Sequence, residues 1–199
     1  MEFKDTKTFV NLTRSFAGES QAGMRYQMAA EKALQIGYKV LSDEIKIIAK
    51  NETKHAKVFF DYIIKYGGNI NNAEICAGYP FNGDTLISAM KFSVEAEKNE
   101  SGFIYPEFSK IAKAEGYNDI AETYKLIAEV ESHHAIIFEY LYNNFTAGTL
   151  YKNSVPIIYK CSECGYLFTS AQAWNVCPLC HASQGFVELH LPLEKNNEK

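Results

Sequence analysis

The chain lacks a long hydrophobic run, an excess of basic charge and a rich supply of cysteine. No stretch of about 18 apolar residues occurs, so nothing is expected to span a bilayer. Lys and Arg number 20 against 24 Asp and Glu, giving a formal net charge of −4 and a pI near 5.8. That balance argues against nucleic acid as a partner, and no basic run points to a membrane surface. The opening residues Met1, Glu2, Phe3, Lys4 and Asp5 lack the apolar stretch of a secretory leader, so the cytoplasm is the expected compartment. Only five cysteines occur. Four form two C-x-x-C pairs, which a reducing compartment makes metal ligands rather than disulfides. The fifth, Cys76, lies in a loop-like stretch and reads as a passive thiol.

Hydrophobic residues make up 47% of the 199, enough for one medium domain with a real core and a small second one. Apolar periodicity predicts four long helices. The first covers roughly residues 5–36, capped by Asp5 or Thr6 and ended by Gly37. The second covers about 39–66 and stops at Gly67 and Gly68. After a polar stretch to Gly83, Asp84 is the expected cap of a third helix reaching about Ala114. Gly116 breaks it, and Asn118 starts a fourth that runs to about Asn144. Pro106 inside the third segment predicts a kink, with a complete break as the alternative. Short connections make helices one and two, and three and four, antiparallel neighbours. The longer connection between two and three is that of a ferritin-like four-helix bundle with one crossover. The expected organisation is a bundle over residues 1–147, a linker over 148–157, and a small metal-bound β domain over 158–199. Short strands are expected at 157–160 and 186–189. About 40 residues build little core, so the small domain calls for a structural metal.

Glutamates fall near the middle of every predicted helix: Glu19, Glu52, Glu97 with Glu100, and Glu131. Midpoints of antiparallel helices share one level, so these side chains can converge. Residues three apart on a helix lie about 60° apart on one face. Glu52/His55, Glu97/Glu100 and Glu131/His134 all have that spacing. Glu129/His133 competes with Glu131/His134, and Glu95 competes with Glu97. The preferred members of each set share a face with apolar neighbours or repeat the spacing of Glu52/His55. Anionic oxygens with imidazoles suit a pair of irons that meet an oxygen substrate. Five such carboxylates carry about five negative charges, between the four positive charges of two ferrous ions and the six of two ferric ions.

Cys161-x-x-Cys164 and Cys177-x-x-Cys180 each wrap one edge of a metal, and together they give a closed tetrahedral S₄ site. Such a site carries electrons or holds a fold. Spacing leaves iron and zinc both open, while Tyr159, Tyr166, Phe168, Trp174 and Phe186 around the knuckles lean towards iron.

Several of these motifs together resemble rubrerythrin. The first helix has Ala17-Gly-Glu-Ser-Gln-Ala-Gly-Met-Arg-Tyr26, the third Glu97-x-x-Glu100 and Tyr105-Pro106-Glu-Phe, and the fourth Glu131-x-x-His134. The tail, Tyr159-Lys-Cys-x-x-Cys-Gly-Tyr166 with Cys-Pro-x-Cys, resembles rubredoxin. The resemblance implies a non-haem di-iron peroxidase that reduces hydrogen peroxide to water in oxidative-stress defence. Electrons would come from NAD(P)H through a separate reductase, or from rubredoxin, and pass through one iron on Cys161, Cys164, Cys177 and Cys180. Glu52 and Glu131 would bridge two irons, Glu97 and His134 would serve one, and Glu19 the other. Glu100 and His55 would alternate on that second iron. Tyr26 and Tyr105 match tyrosines that hydrogen-bond ligand carboxylates. The resemblance further implies a homodimer or larger assembly. Two competing readings are an iron-handling ferroxidase and a zinc-loaded, redox-inert binding module.

Overall fold

The computed structural model describes residues 2–68 and 70–192. Helix α1 spans Lys7–Gln35 and α2 spans Lys39–Gly67. Helix α3, Leu86–Asn99, runs through a π-helical turn, Glu100–Ile104, into α4, Tyr105–Ala114. Helix α5 spans Asn118–Ala147. Two antiparallel strands follow, β1 over Lys152–Lys160 and β2 over Leu167–Gln172. Helix α1 packs along α2, and α3 and α4 pack along α5. The result is the expected mainly helical, ferritin-like bundle with a small β tail.

Local chemistry explains the helix ends. Thr6 caps α1, its hydroxyl accepting from Phe9 N–H at 3.1 Å. Thr85, rather than the expected Asp84, caps α3: Thr85 and Ser88 form a reciprocal capping box, and Asp84 accepts from Ser88 Oγ at 2.8 Å behind it. The start of α1 also draws on the α4–α5 turn. The Glu115 carboxylate accepts from Lys7 N–H, Thr8 N–H and Thr8 Oγ1 at 3.0, 2.8 and 2.6 Å, satisfying donors that a helix start leaves open.

The third rod neither breaks nor simply kinks at Pro106. Its irregularity lies just before the proline, where Tyr105 N–H reaches back to Glu100 O in an i→i+5 bond. Widening the turn there relieves the clash a proline ring makes with the carbonyl four residues earlier. It also resets the phase of the helix. Eight residues separate Glu97 from Tyr105, about 80° out of register on a regular helix. Absorbing one residue in the π turn leaves about 20°. Both side chains are accordingly buried.

The core has two apolar clusters. One joins Ala22, Tyr26, Ala30, Leu41, Ile45, Ile48, Met90 and Phe138. The other joins Leu12, Phe59, Tyr105, Ala112, Ile120 and Tyr124. Along α1, α2 and α5 the sequence passes from one cluster to the other, and at each crossing stands a buried acid: Glu19, Glu52 or Glu131. Buried Glu97 stands at the corresponding crossing in the α3–α4 rod.

The tail joins the first of these clusters through Leu150, Tyr151, Tyr159, Ala173 and Val187. Residues 148–151 separate α5 from β1. Within 152–157, only Lys152 and Ile157 have partners on β2. The expected strand at 186–189 is a 3-10 turn, Gln184–Phe186, followed by a single bridge from Val187 to Cys161. The chain needs that turn to bring Gly185 onto the α1–α2 connection. A Cβ on Gly185 would lie 1.8 Å from Gly37 O, so only glycine permits this approach.

Gly185→Ala should therefore unseat the tail from the bundle, at a cost of about 1–3 kcal/mol, read as a lower melting temperature with the Cys₄ metal retained. Glu115→Ala should cost about 1 kcal/mol, as loss of a helix cap does. Burial resists the effect, but the hydrogen bonds from Thr8 and Lys7 hold the Glu115 carboxyl below its ordinary 4.5. Its contribution is thus present above pH 4.5 and lost as pH falls through the lowered value. The wild-type and Glu115→Ala melting curves should converge in acid.

Candidate metal centres

Four bundle rods bring six of the predicted donors to one level. Glu19, Glu52, His55 and Glu131 form one quartet whose ligand atoms lie within 4.8 Å of one another. Glu52, Glu97, Glu131 and His134 form a second. Glu52 and Glu131 belong to both, and each divides its two oxygens between the two sides. Glu131 Oε1 lies 2.9 Å from His55 Nδ1, and its Oε2 lies 2.7 Å from His134 Nδ1. Glu52 Oε1 lies 2.9 Å from His134 Nδ1, and its Oε2 lies 3.5 Å from His55 Nδ1. Glu19 approaches the His55 side at 3.9 Å, and Glu97 the His134 side at 3.8 Å. The spacing ambiguities resolve by burial: Glu131 and Glu97 are fully buried, whereas Glu129 and Glu95 are exposed.

These close contacts are not hydrogen bonds. Both Nδ1 atoms, both oxygens of Glu52 and of Glu131, and one oxygen each of Glu19 and Glu97 are buried without a hydrogen-bond partner. Buried polar atoms left this way are costly, and two cations, one per quartet, would satisfy them together. The donor set therefore fits a carboxylate-bridged pair of metal ions.

The electrostatics of the metal-free chain agree. Burial pushes the carboxyls of Glu19 and Glu97 well above their ordinary value. Burial pulls the imidazoles down, but contact with Glu131 and its neighbours outweighs it and lifts His55 and His134 to about 12. The site gathers protons where it would otherwise hold metal.

Tyrosines hold two of the acids. Tyr26 donates its hydroxyl to Glu97 Oε1, and Tyr105 donates to Glu19 Oε1. Burial raises both phenols well above their ordinary value, so each remains a donor. Glu100 stands outside both quartets. Burial, then the charges of Glu131 and Glu52, raises its carboxyl to about 8. It lines a cavity of about 410 Å³ that also reaches Tyr105.

One neighbour escaped the spacing argument. Asn51 Nδ2 lies 3.3 Å from His134 Nε2. A metal at Nδ1 leaves the proton on Nε2, which Asn51 accepts once its amide presents oxygen, an orientation equivalent in shape. Its only signal in the sequence is adjacency to Glu52.

The four paired cysteines converge in the tail. Sγ atoms of Cys161 and Cys180, and of Cys164 and Cys177, lie 3.7 Å apart. Disulfide sulfurs sit about 2.05 Å apart, whereas thiolates about 2.3 Å from a tetrahedral ion sit roughly 3.8 Å apart. Burial resists ionisation of Cys177, but the backbone N–H groups of Cys180 and Leu179 outweigh it and lower the thiol to about 7. Each knuckle closes on a left-handed residue, Gly165 at φ 76° and His181 at φ 63°. Cys76 is remote from this cluster and exposed.

The rubrerythrin family model matches residues 10–142 and 89–156, and that of the rubrerythrin rubredoxin-like domain matches 159–186. The chain belongs to the rubrerythrin family. It is 36% identical over 188 residues to a rubrerythrin of Clostridium perfringens, covering 94% of this chain and 95% of that one. It is 37% identical over 191 residues to rubrerythrin-1 of Clostridium acetobutylicum, with the same coverage. A mixed-valence nigerythrin structure superposes with a TM-score of 0.61 at 21% identity, over 95% of this chain and 92% of that one. A Desulfovibrio desulfuricans bacterioferritin superposes at 0.64 and 22% identity, over 72% and 82%. These two share the fold. The donor sets of the chain are those of a di-iron carboxylate site and a rubredoxin-like Cys₄ iron site. Among the described residues no helix is long and apolar enough to cross a membrane.

Removing metal should lower the melting temperature, since an ion at about a hundred times its dissociation constant contributes about 2.7 kcal/mol. Groups whose pKa is raised by folding stabilise the metal-free fold below their ordinary pKa and lose that contribution as pH rises. The melting gap between loaded and metal-free protein should therefore widen from about pH 5 to about pH 8. Equal melting curves would overturn the assignment.

Proposed function

We propose that the protein is a peroxidase that reduces hydrogen peroxide to water. The observation that carries the reading is the division of Glu52 and Glu131 oxygens between two imidazoles. That arrangement suits two ions side by side, the spacing needed to meet both oxygens of one peroxide. When bound, the irons supply the two electrons that cleave the O–O bond.

The chain's own residues do the rest. Glu52 and Glu131 would hold both ions, Glu97 and His134 would hold one, and Glu19 and His55 the other. Tyr26 and Tyr105 fix the carboxylates of Glu97 and Glu19. Glu100, beside the cavity, would be a spare ligand for the second side. Two protons and two electrons per peroxide give two waters.

The Cys₄ iron would return electrons one at a time from NAD(P)H through a separate reductase, or from rubredoxin. We divide the chain into a catalytic bundle over 1–147, a linker over 148–157 and an electron-relay domain over 158–199, of which 193–199 lie outside the described residues. From Tyr38, next to the Gly37–Gly185 contact, to Glu52 the helix rises about 21 Å. That length favours delivery between copies in a homodimer or larger assembly. We place the protein in the cytoplasm, where thiolates stay reduced, in defence against peroxide.

Cys161→Ser or Cys177→Ser should slow reductant-driven turnover at least about tenfold while the reduced bundle still consumes one equivalent of peroxide in stopped flow. Undiminished turnover would overturn the relay. A red colour that bleaches on reduction supports thiolate-bound iron, and a colourless zinc protein would leave only a binding module. Iron oxidation by oxygen, with no reductant-dependent peroxide consumption, would make the protein a ferroxidase.

A further inference from the structure

The cavity beside Glu100 is much larger than hydrogen peroxide requires. Its volume is about 410 Å³, whereas hydrogen peroxide is comparable to one or two waters, each about 30 Å³. One wall is a stripe on α1, in which Arg14, Gly18, Gln21 and Arg25 recur at helical spacing. Gly18 leaves this wall open: a Cβ there would meet only the Tyr79 ring, at 3.8 Å. Pro80, Ala96, Ile104 and Phe108 make much of the remainder apolar. The inner end reaches Glu100 and Tyr105, so the cavity abuts the carboxylate cluster.

The charges are arranged unevenly. Arg25 is engaged within the stripe, its Nε donating to Gln21 Oε1 at 2.7 Å. Arg14 makes no ion pair among the described residues, and Glu100, the acid in the lining, stands at the opposite, inner end. Its Nε donates to Cys76 O at 3.1 Å, and Tyr79 donates its hydroxyl to Arg14 O at 3.1 Å. These bonds tie residues 76–80 over α1 and leave the outer edge of the guanidinium for a ligand. An apolar chamber with a cation at its exposed end and the reaction site at its inner end matches one kind of molecule.

We propose that the cavity binds an organic hydroperoxide carrying a carboxylate, its apolar body along Gly18 and Phe108 and its carboxylate on Arg14. This rests on the peroxidase reading and names a second substrate class for the same site. The reaction is R–O–O–H plus two electrons and two protons giving R–OH and water. The O–O bond breaks, and the electrons come from the reductant already named, through the same two centres.

Binding and turnover test it separately. Calorimetry with decanoate, a non-reactive carboxylate of suitable shape, should show binding to the full chain with or without metal. Arg14→Gln should weaken it about tenfold, the loss of one charge-assisted contact, and Arg14→Lys should retain most of it. Decanol should bind all three proteins alike. In turnover, the ratio of kcat/KM for linoleate hydroperoxide to that for hydrogen peroxide should fall about tenfold in Arg14→Gln. Absence of decanoate binding, or binding indifferent to Arg14→Gln, overturns the proposal. Wild-type turnover of hydrogen peroxide without linoleate hydroperoxide also overturns it. If neither peroxide is reduced, the peroxidase reading falls, and with it the second substrate class.

Discussion

A layer of buried carboxylates at the middle of the bundle is the constraint on which the structure depends. Glu19, Glu52, Glu97 and Glu131 are each at most 1% exposed, where an isolated charge is prohibitively costly. Two imidazoles and two tyrosine hydroxyls compensate part of that cost, and a pair of cations compensates the rest. The two apolar clusters above and below the layer position it: each long helix is anchored twice, and the acid between the anchors has nowhere else to point. The π turn serves the same end, returning Tyr105 to the face occupied by Glu97 so that one rod supplies both an acid and the hydroxyl that holds Glu19.

The tail solves a different problem with different means. Its strands are short and largely exposed, too little to fold on apolar burial alone. It has two supports, the thiolate cluster and a share in the first bundle cluster. The Gly185–Gly37 approach makes the second support close enough to exclude even a methyl group. The Cys₄ centre thus has a fixed place relative to the end of the bundle.

The parts legible in the sequence were those with short-range signals. Glu-x-x-His and C-x-x-C spacings name donors because three residues make one face of a helix or one edge of a metal. Helix ends were legible from glycines and Thr6. The phase reset at Glu100–Ile104 was not: Pro106 announces a disturbance without saying whether the axis bends or the turn widens. Strand β2 was not legible because Leu167–Gln172 is exposed on both faces and shows no alternation of burial. Phe186 to Leu189 suggested a strand, but Val187 is buried by contact with the bundle. Asn51 carries no motif, since its part is defined by a residue 83 positions away.

The sequence by itself determined which residues could hold metal and roughly where they lie along each helix, because both follow from backbone periodicity and ligand chemistry. Only the tertiary structure decided which donors stand together in each quartet, which oxygen of Glu52 and Glu131 faces which imidazole, and that Glu100 stands aside at a cavity. Those are properties of packing among four rods, and packing is settled by contacts between residues far apart in the chain.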